Sequence, residues 1–176
     1  MLGPLSVGCG CMDDLSLELP RRLDGPNLCR FVQKFVDDTR SGLPKQVTLD
    51  ISRLNFIEPA GVTFLSNFIY WLNHLGSKVS VSGCDTNKEA ISFLDDSLFF
   101  EQHAGQKLSK SASPRSTTRP LVKVHAAESH AWLRLELIPW LANRLGTTKA
   151  SLYPLQAGIS ELFNNIKDHS TLDSRP

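Results

Sequence analysis

No stretch of this 176-residue chain approaches the roughly 18 consecutive apolar residues that a membrane span needs. The opening MLGPLSVGCGC has neither the basic start nor the long apolar core of a secretory signal. A cytoplasmic protein with no membrane contact is expected. Cysteine is scarce, with four in all. Cys9 and Cys11 sit too close together for a usual zinc half-site and have no second Cys/His pair nearby, so they read as free thiols in a reducing compartment. Cys29 and Cys84 fall in apolar segments and read as small core residues. His74, His103, His125 and His130 have no Cys, His or Asp partner at metal-ligand spacing. No G-x-S-x-G, P-loop or dinucleotide fingerprint is present, which removes the commonest sequence-readable enzyme classes.

Charge is nearly balanced at +1, but unevenly placed. Residues 1–105 hold 9 Lys/Arg against 13 Asp/Glu, and residues 106–176 hold 10 against 5. The basic residues Lys107, Lys110, Arg115, Arg119 and Lys123 lie in a Ser/Thr/Pro-rich stretch with no aromatic residue between them, so stacking on bases is unsupported and no nucleic acid is expected as a partner. The asymmetry marks a boundary instead. Apolar content of 41% with 21% charged residues suits a globular core.

Three segments follow: a domain over 12–105, a polar linker over 106–119 (QKLSKSASPRSTTR), and a helical segment over 120–176. In the first, Leu15 to Leu19 alternates apolar and polar residues like a half-buried strand, as do Val47, Leu49 and Ile51, and then Val79 and Val81. Leu28, Phe31, Val32, Phe35 and Val36 have helical spacing after the Gly25-Pro26-Asn27 start, and Gly42 and Pro44 end that helix. Glu58-Pro59-Ala60-Gly61 reads as a turn before a helix carrying Val62, Leu65, Ile69 and Leu72, which stops near Gly76. Ala90, Ile91 and Leu94 mark a last helix. Alternating strands and helices predict an α/β fold, a mostly parallel sheet covered by helices, followed by the linker and the helical C-terminal segment. In that segment helices are expected over 127–145 and 149–169, with Pro139 breaking the first or opening its second half, Gly146 as C-cap and Pro154 in a first turn. Leu155, Ile159, Leu162, Phe163 and Ile166 are expected to form a buried stripe, against the sheet domain, another chain or further chain.

On these residues, the stretch from about Asp13 to Gly105 resembles the STAS domain of anti-sigma factor antagonists. Leu23-Asp24 is similar to the family's early turn. Val47 to Ser52 resembles its central strand, Phe56-Ile57-Glu58-Pro59-Ala60-Gly61 its following loop, and Leu65 to Gly76 its long helix. The resemblance implies a regulatory module that docks a protein partner, such as a kinase-type anti-sigma factor, through Glu58, Pro59, Ala60, Gly61, Leu65 and the adjoining helix. Antagonists of the family carry a phosphorylated serine in that loop, where the added charge can switch binding. Here Pro59 and Ala60 stand at the serine positions, and neither Ser52, Thr63 nor Ser66 matches the acceptor, so the phospho-switch is expected to be absent. A plain strand-to-helix turn would account for the same four residues.

Near the end, Glu161-Leu162-Phe163-Asn164-Asn165-Ile166-Lys167-Asp168-His169-Ser170 places Glu161, Asn165 and His169 on one helical face. This run resembles the N-box of histidine-kinase-type ATPases, with Ile166 where a small residue is usual. The resemblance implies Asn165 as a Mg²⁺ ligand, Asn165 and His169 as nucleotide-binding residues, and Glu161 as the catalytic group that orients or deprotonates the attacking group. The family's D-x-G-x-G loop and strands follow its N-box, and none is written before Pro176. No cofactor is therefore expected for residues 1–176 themselves, and Mg-ATP only if such a domain is completed downstream. A chain that continues into an ATP-binding serine kinase or ATPase with a built-in STAS regulator is the alternative to the adaptor reading.

Overall fold

A computed structural model describes residues 14–169, without the side chain of His169. The chain divides into two compact units at Leu121/Val122, each with its own core.

The first unit is α/β. Strands β1 (Asp14–Glu18), β3 (Gln46–Asp50) and β5 (Lys78–Ser82) form a parallel sheet in the order β1-β3-β5. Leu17 stands beside Leu49, and Leu49 beside Val81. The ladder runs past the strand ends, since Leu19 donates its N–H to the Asp50 carbonyl at 2.9 Å and Ile51 donates to Ser82 at 3.0 Å. Alternation gives β3 its two environments: Val47, Leu49 and Ile51 are buried while Gln46 is exposed. A second, two-residue parallel pair joins β2 (Arg22–Leu23) to β4 (Phe56–Ile57).

Each strand of that short pair launches a helix. Asp24, just after β2, caps α1 (Gly25–Asp38): its carboxylate accepts the Asn27 N–H at 3.3 Å, and Pro26 fills a first-turn position where no N–H is needed. Glu58, just after β4, is the extended residue before α2 (Pro59–His74). The stretch 58–61 is thus not a separate turn. Pro59 fits the first helical position because its fixed φ suits the helix, and the helix begins three residues before the first apolar-periodic residue. The two helices meet through an aromatic seam. Phe35 packs edge-on to Phe68 with centroids 4.9 Å apart, and Phe31 edge-on to Phe68 at 5.8 Å.

Helix α3 (Glu89–Asp96) is followed by α4 (Phe99–Ala104), an element that the sequence pattern did not announce. Leu98 turns the chain between them in the left-handed region at φ 62°. This cost is offset by Phe99 and Phe100, both fully buried in the core shared with the sheet, α1, α2 and α3. Cys84 packs partly buried on this core, but Cys29 is exposed on the side of α1 away from Phe31 and Phe35.

The polar run 106–119 is not a free linker. It lies on the C-terminal turn of α3 as a strap, and the first unit extends through Leu121. Asp95, only 2% exposed, accepts the backbone N–H groups of Leu108 (3.0 Å) and Ser109 (2.8 Å). Asp96 accepts the Nε–H of Arg115 at 3.0 Å and the Ser113 N–H at 3.3 Å. Ala112 is buried, and Leu121 donates its N–H to the Ser97 carbonyl at 3.2 Å.

The second unit is helical. Helix α5 (Ser129–Trp132) runs through a wider π-type turn (Leu133–Leu137) into α6 (Ile138–Leu145), which Pro139 opens and Gly146 caps at φ 61°. Helix α7 (Tyr153–His169) follows. Its core is small: Leu133, Ile138, Ala142 and Leu152 are buried, with Trp132 and Ile159 packed against them. Phe163 lies edge-on to Trp132 at 6.4 Å. The expected buried stripe of α7 is therefore only half buried. Leu155, Leu162 (61% exposed) and Ile166 (63%) face outward, because Ile159 and Phe163 lie on the flank turned to this core.

Gly61 is where packing is tightest around α2. A Cβ there would lie 2.8 Å from the Leu23 carbonyl oxygen and 3.0 Å from Ile57 Cγ1. Gly61→Ala is expected to lower stability by about 1–3 kcal/mol in urea unfolding, whereas Ala60→Ser, one residue earlier and exposed, should change it by less than about 0.5 kcal/mol. Equal midpoints for the two variants would show that β2 yields without cost.

Candidate functional site

The loop-and-helix region 58–65 divides sharply by depth. Gly61 and Leu65 (1% exposed) belong to the core, so neither can form a docking surface as expected from sequence; Gly61 is there because the Leu23 carbonyl leaves no room for a side chain. Glu58 is half-buried, while Pro59 and Ala60 are exposed. Ala60 continues into an exposed line on α2 made by Thr63, Asn67, Trp71 and His74, with Phe64 half-buried beside it. The spacing of three and four residues keeps these on one face.

That face is uncharged. Helix α2 contains no Lys, Arg, Asp or Glu along PAGVTFLSNFIYWLNH. Solvated helix faces ordinarily carry charge, and α1 does so at Arg30, Lys34 and Asp37. Charge depletion together with exposed aromatic residues is the compositional sign of an interface centre. Trp71 remains 38% exposed although it stacks on Phe68 at 6.0 Å and meets Phe35 edge-on at 6.0 Å. It is thus a rigidly seated aromatic with an open side. Sequence reasoning located the start of this face but missed Asn67 and Trp71; the missing charges along α2 were the available signal.

At the back of α2, Ser66 is buried, and its Oγ lies 2.9 Å from Nε2 of His103 on α4. The imidazole sits between the rings of Tyr70 and Phe99, each 4.9 Å away. Burial holds its pKa below the ordinary 6.5. A serine hydroxyl beside a neutral histidine resembles a nucleophile pair in outline, but Ser66 is inside the helix packing and out of reach of substrate. The contact fastens α4 to α2.

In the second unit, Glu161 and Asn165 are exposed on α7, beside the outward-facing Leu155, Leu162 and Ile166. The His169 side chain lies outside the described residues, as do Ser170, Cys9 and Cys11. A hollow of about 410 Å³ in this unit is lined by Ala127, His130, Ala131, Arg134, Gln156 and Ser160. Gln156 and Ser160 sit roughly 140–180° around the helix from Asn165, on its other side. His130 Nε2 meets the Asn164 amide oxygen at 3.1 Å on that side too. Among the described residues no group of three His, Cys, Asp or Glu converges on a metal position. Mg²⁺ could complete its octahedron with waters and phosphates beside Asn165, but the hollow lined by Gln156 and Ser160 lies on the other side of α7 and offers adenine no pocket next to that residue.

Compared with family models, with curated proteins and with solved structures, the chain matches none. No helix among the described residues is long and apolar enough to cross a membrane.

The half-buried His103 is expected to make stability pH-dependent. Its folded pKa is depressed, so below about 6.5 the unfolded chain binds a proton that the folded chain resists, and stability present above that value is lost as pH falls. His103→Gln, which keeps a polar partner for Ser66, is expected to flatten the fall in urea midpoint between about pH 7.5 and 5.5 relative to the parent. Identical slopes would remove His103 from the account.

Proposed function

We propose that this chain is a regulatory protein–protein interaction module of the anti-sigma-antagonist type, docking a protein partner such as a kinase-type regulator through the exposed face of α2. The observation that carries this is the uncharged helix face of Ala60, Thr63, Asn67 and Trp71 in a chain where 21% of residues are charged. The similarity of residues 13–105 to STAS domains supplies the class of partner. The absence of a hydroxyl at residues 59 and 60 means that binding is not switched by phosphorylation at this loop. Burial of Trp71 and Phe64 against an apolar partner surface would contribute mainly hydrophobic energy, so affinity should depend little on salt.

A photo-crosslinking amino acid at Asn67 of the full chain, expressed in its own cells, is expected to trap one defined polypeptide. The same residue at Lys34 on the charged face of α1 should not. Trp71→Glu should abolish the crosslink, and the parent complex should lose less than about threefold affinity between 0.1 and 0.5 M salt. Equal crosslinking from both positions, or none from Asn67, defeats the proposal.

A second reading, an ATP-dependent kinase or ATPase, is favoured by one observation: Glu161 and Asn165 stand exposed beside apolar residues that nothing covers among the described residues of the second unit. Further chain packed on Leu155, Leu162 and Ile166 could turn this face into a cleft. For residues 1–176, calorimetric titration with Mg-ATP is expected to show no binding up to about 1 mM. Micromolar binding that disappears in Asn165→Ala would replace the adaptor reading with this one.

A further inference from the structure

We propose that the strap is a phosphorylation-operated latch: Asp95 and Asp96 hold it on α3, and a phosphate on Ser113 releases it. Asp95 and Asp96 are the last two residues of α3, where the helix dipole disfavours negative charge. Both carboxylates are engaged by the strap. Asp95 takes two backbone N–H groups, and Asp96 takes the Ser113 N–H and the Arg115 guanidinium, which also lies 5.0 Å over the Phe93 ring. Acceptors in the helix end and donors in the strap complete one another, while Ala112 is buried and Leu108 and Leu121 pack partly buried against the core. A fastening made of charge-assisted hydrogen bonds is one that a change of charge can undo.

Ser113 is placed to receive that change. It is exposed, followed by exposed Pro114, and flanked at two residues by Arg115 and at three by Lys110. Pro114 keeps Ser113 out of helical conformation, so its hydroxyl is presented on extended backbone. The acceptor loop of the anti-sigma-antagonist resemblance is elsewhere, at residues 59–60, and has no hydroxyl. The reaction needs a separate protein kinase and a nucleoside triphosphate. The Ser113 Oγ–P bond forms as the bond from the γ-phosphorus to the bridging oxygen breaks, the hydroxyl proton passes to a base of the kinase, and the nucleoside diphosphate leaves. The product adds roughly −1.5 to −2 charge to the residue whose own N–H is bonded to Asp96. It repels Asp96 directly, and it offers Arg115 a second anion two residues away. Both effects withdraw the two donors that Asp96 now accepts.

The test uses full-length chain with phosphoserine incorporated at position 113 and hydrogen exchange read by mass spectrometry. Exchange across 108–115 is expected to rise at least about tenfold over the parent, with the sheet peptides unchanged. Asp96→Asn should give the same acceleration without phosphate, and Ser113→Ala should leave the strap protected. If Asp96→Asn accelerates exchange but phosphoserine leaves it within about twofold of the parent, or slows it, the latch is not phosphate-operated and the proposal fails. If Asp96→Asn changes nothing, the carboxylate hold itself is overturned. Phosphopeptide mapping of the chain from its own cells should place phosphate on Ser113, and an unmodified Ser113 through growth and stress would overturn its role as a modification site.

Discussion

The Leu23 carbonyl oxygen is the point around which the first unit is organised. It accepts the Glu58 N–H at 3.3 Å, and it lies where a side chain on Gly61 would have to be. The residue after it, Asp24, caps α1, and Glu58 directly precedes α2. A parallel pair only two residues long on each side therefore sets the starting points of both helices. Once both starts are fixed, Phe31 and Phe35 must meet Phe64, Phe68 and Trp71 at the spacing the aromatic seam shows. The outward face of α2 is then not free to rotate. Its uncharged line is presented because its opposite side, through Gly61, Leu65 and Leu72, is committed to the core.

The sheet was legible in the sequence because its strands obey a period of two: Val47, Leu49 and Ile51 are buried where their alternation says they should be. Helix α1 was legible through its Gly25-Pro26-Asn27 start and its apolar spacing, though not through its cap Asp24. Three features were not. The first turn of α2 holds Pro59, Ala60 and Gly61, whose composition suggests a turn, and only the fit of proline to a first helical position makes it helix. The short helix α4 follows a residue in left-handed conformation, which local propensity does not predict for leucine. The strap has almost no apolar residues, and it is held by backbone donors whose acceptors lie on a different element, an arrangement periodicity cannot register.

The candidate site was legible only in position. Residues 58–61 and the helix after them were identified, but spacing alone does not say which side of a helix is turned inward until its partners are known. Leu65 went to the core and Trp71 to the edge because α1 supplies phenylalanines at one flank of α2. In α7 the same uncertainty had the opposite outcome. Its apolar residues span a wider arc than one small core can cover, so Ile159 and Phe163 are used and Leu155, Leu162 and Ile166 are left over. The Glu161 and Asn165 line borders that surplus.

Two adjacent aspartates at the C-terminal end of α3 break a local rule, and the strap explains why they are tolerated. Against the helix dipole alone each would be unfavourable by about 0.3–1 kcal/mol. A buried carboxylate without donors would cost more still, since removing it from water leaves its lone pairs unpaired. Asp95 is buried, yet both of its oxygens accept strap N–H groups. The strap is equally dependent: Leu108 and Ser109 would otherwise have to keep their donors in water. Each side supplies what the other lacks, so the carboxylates and the strap donors stabilise one another. The strap is thus held by a cluster of charge-dependent bonds beside the apolar contacts of Leu108, Ala112 and Leu121, and those bonds are the part of the hold that an added charge can weaken.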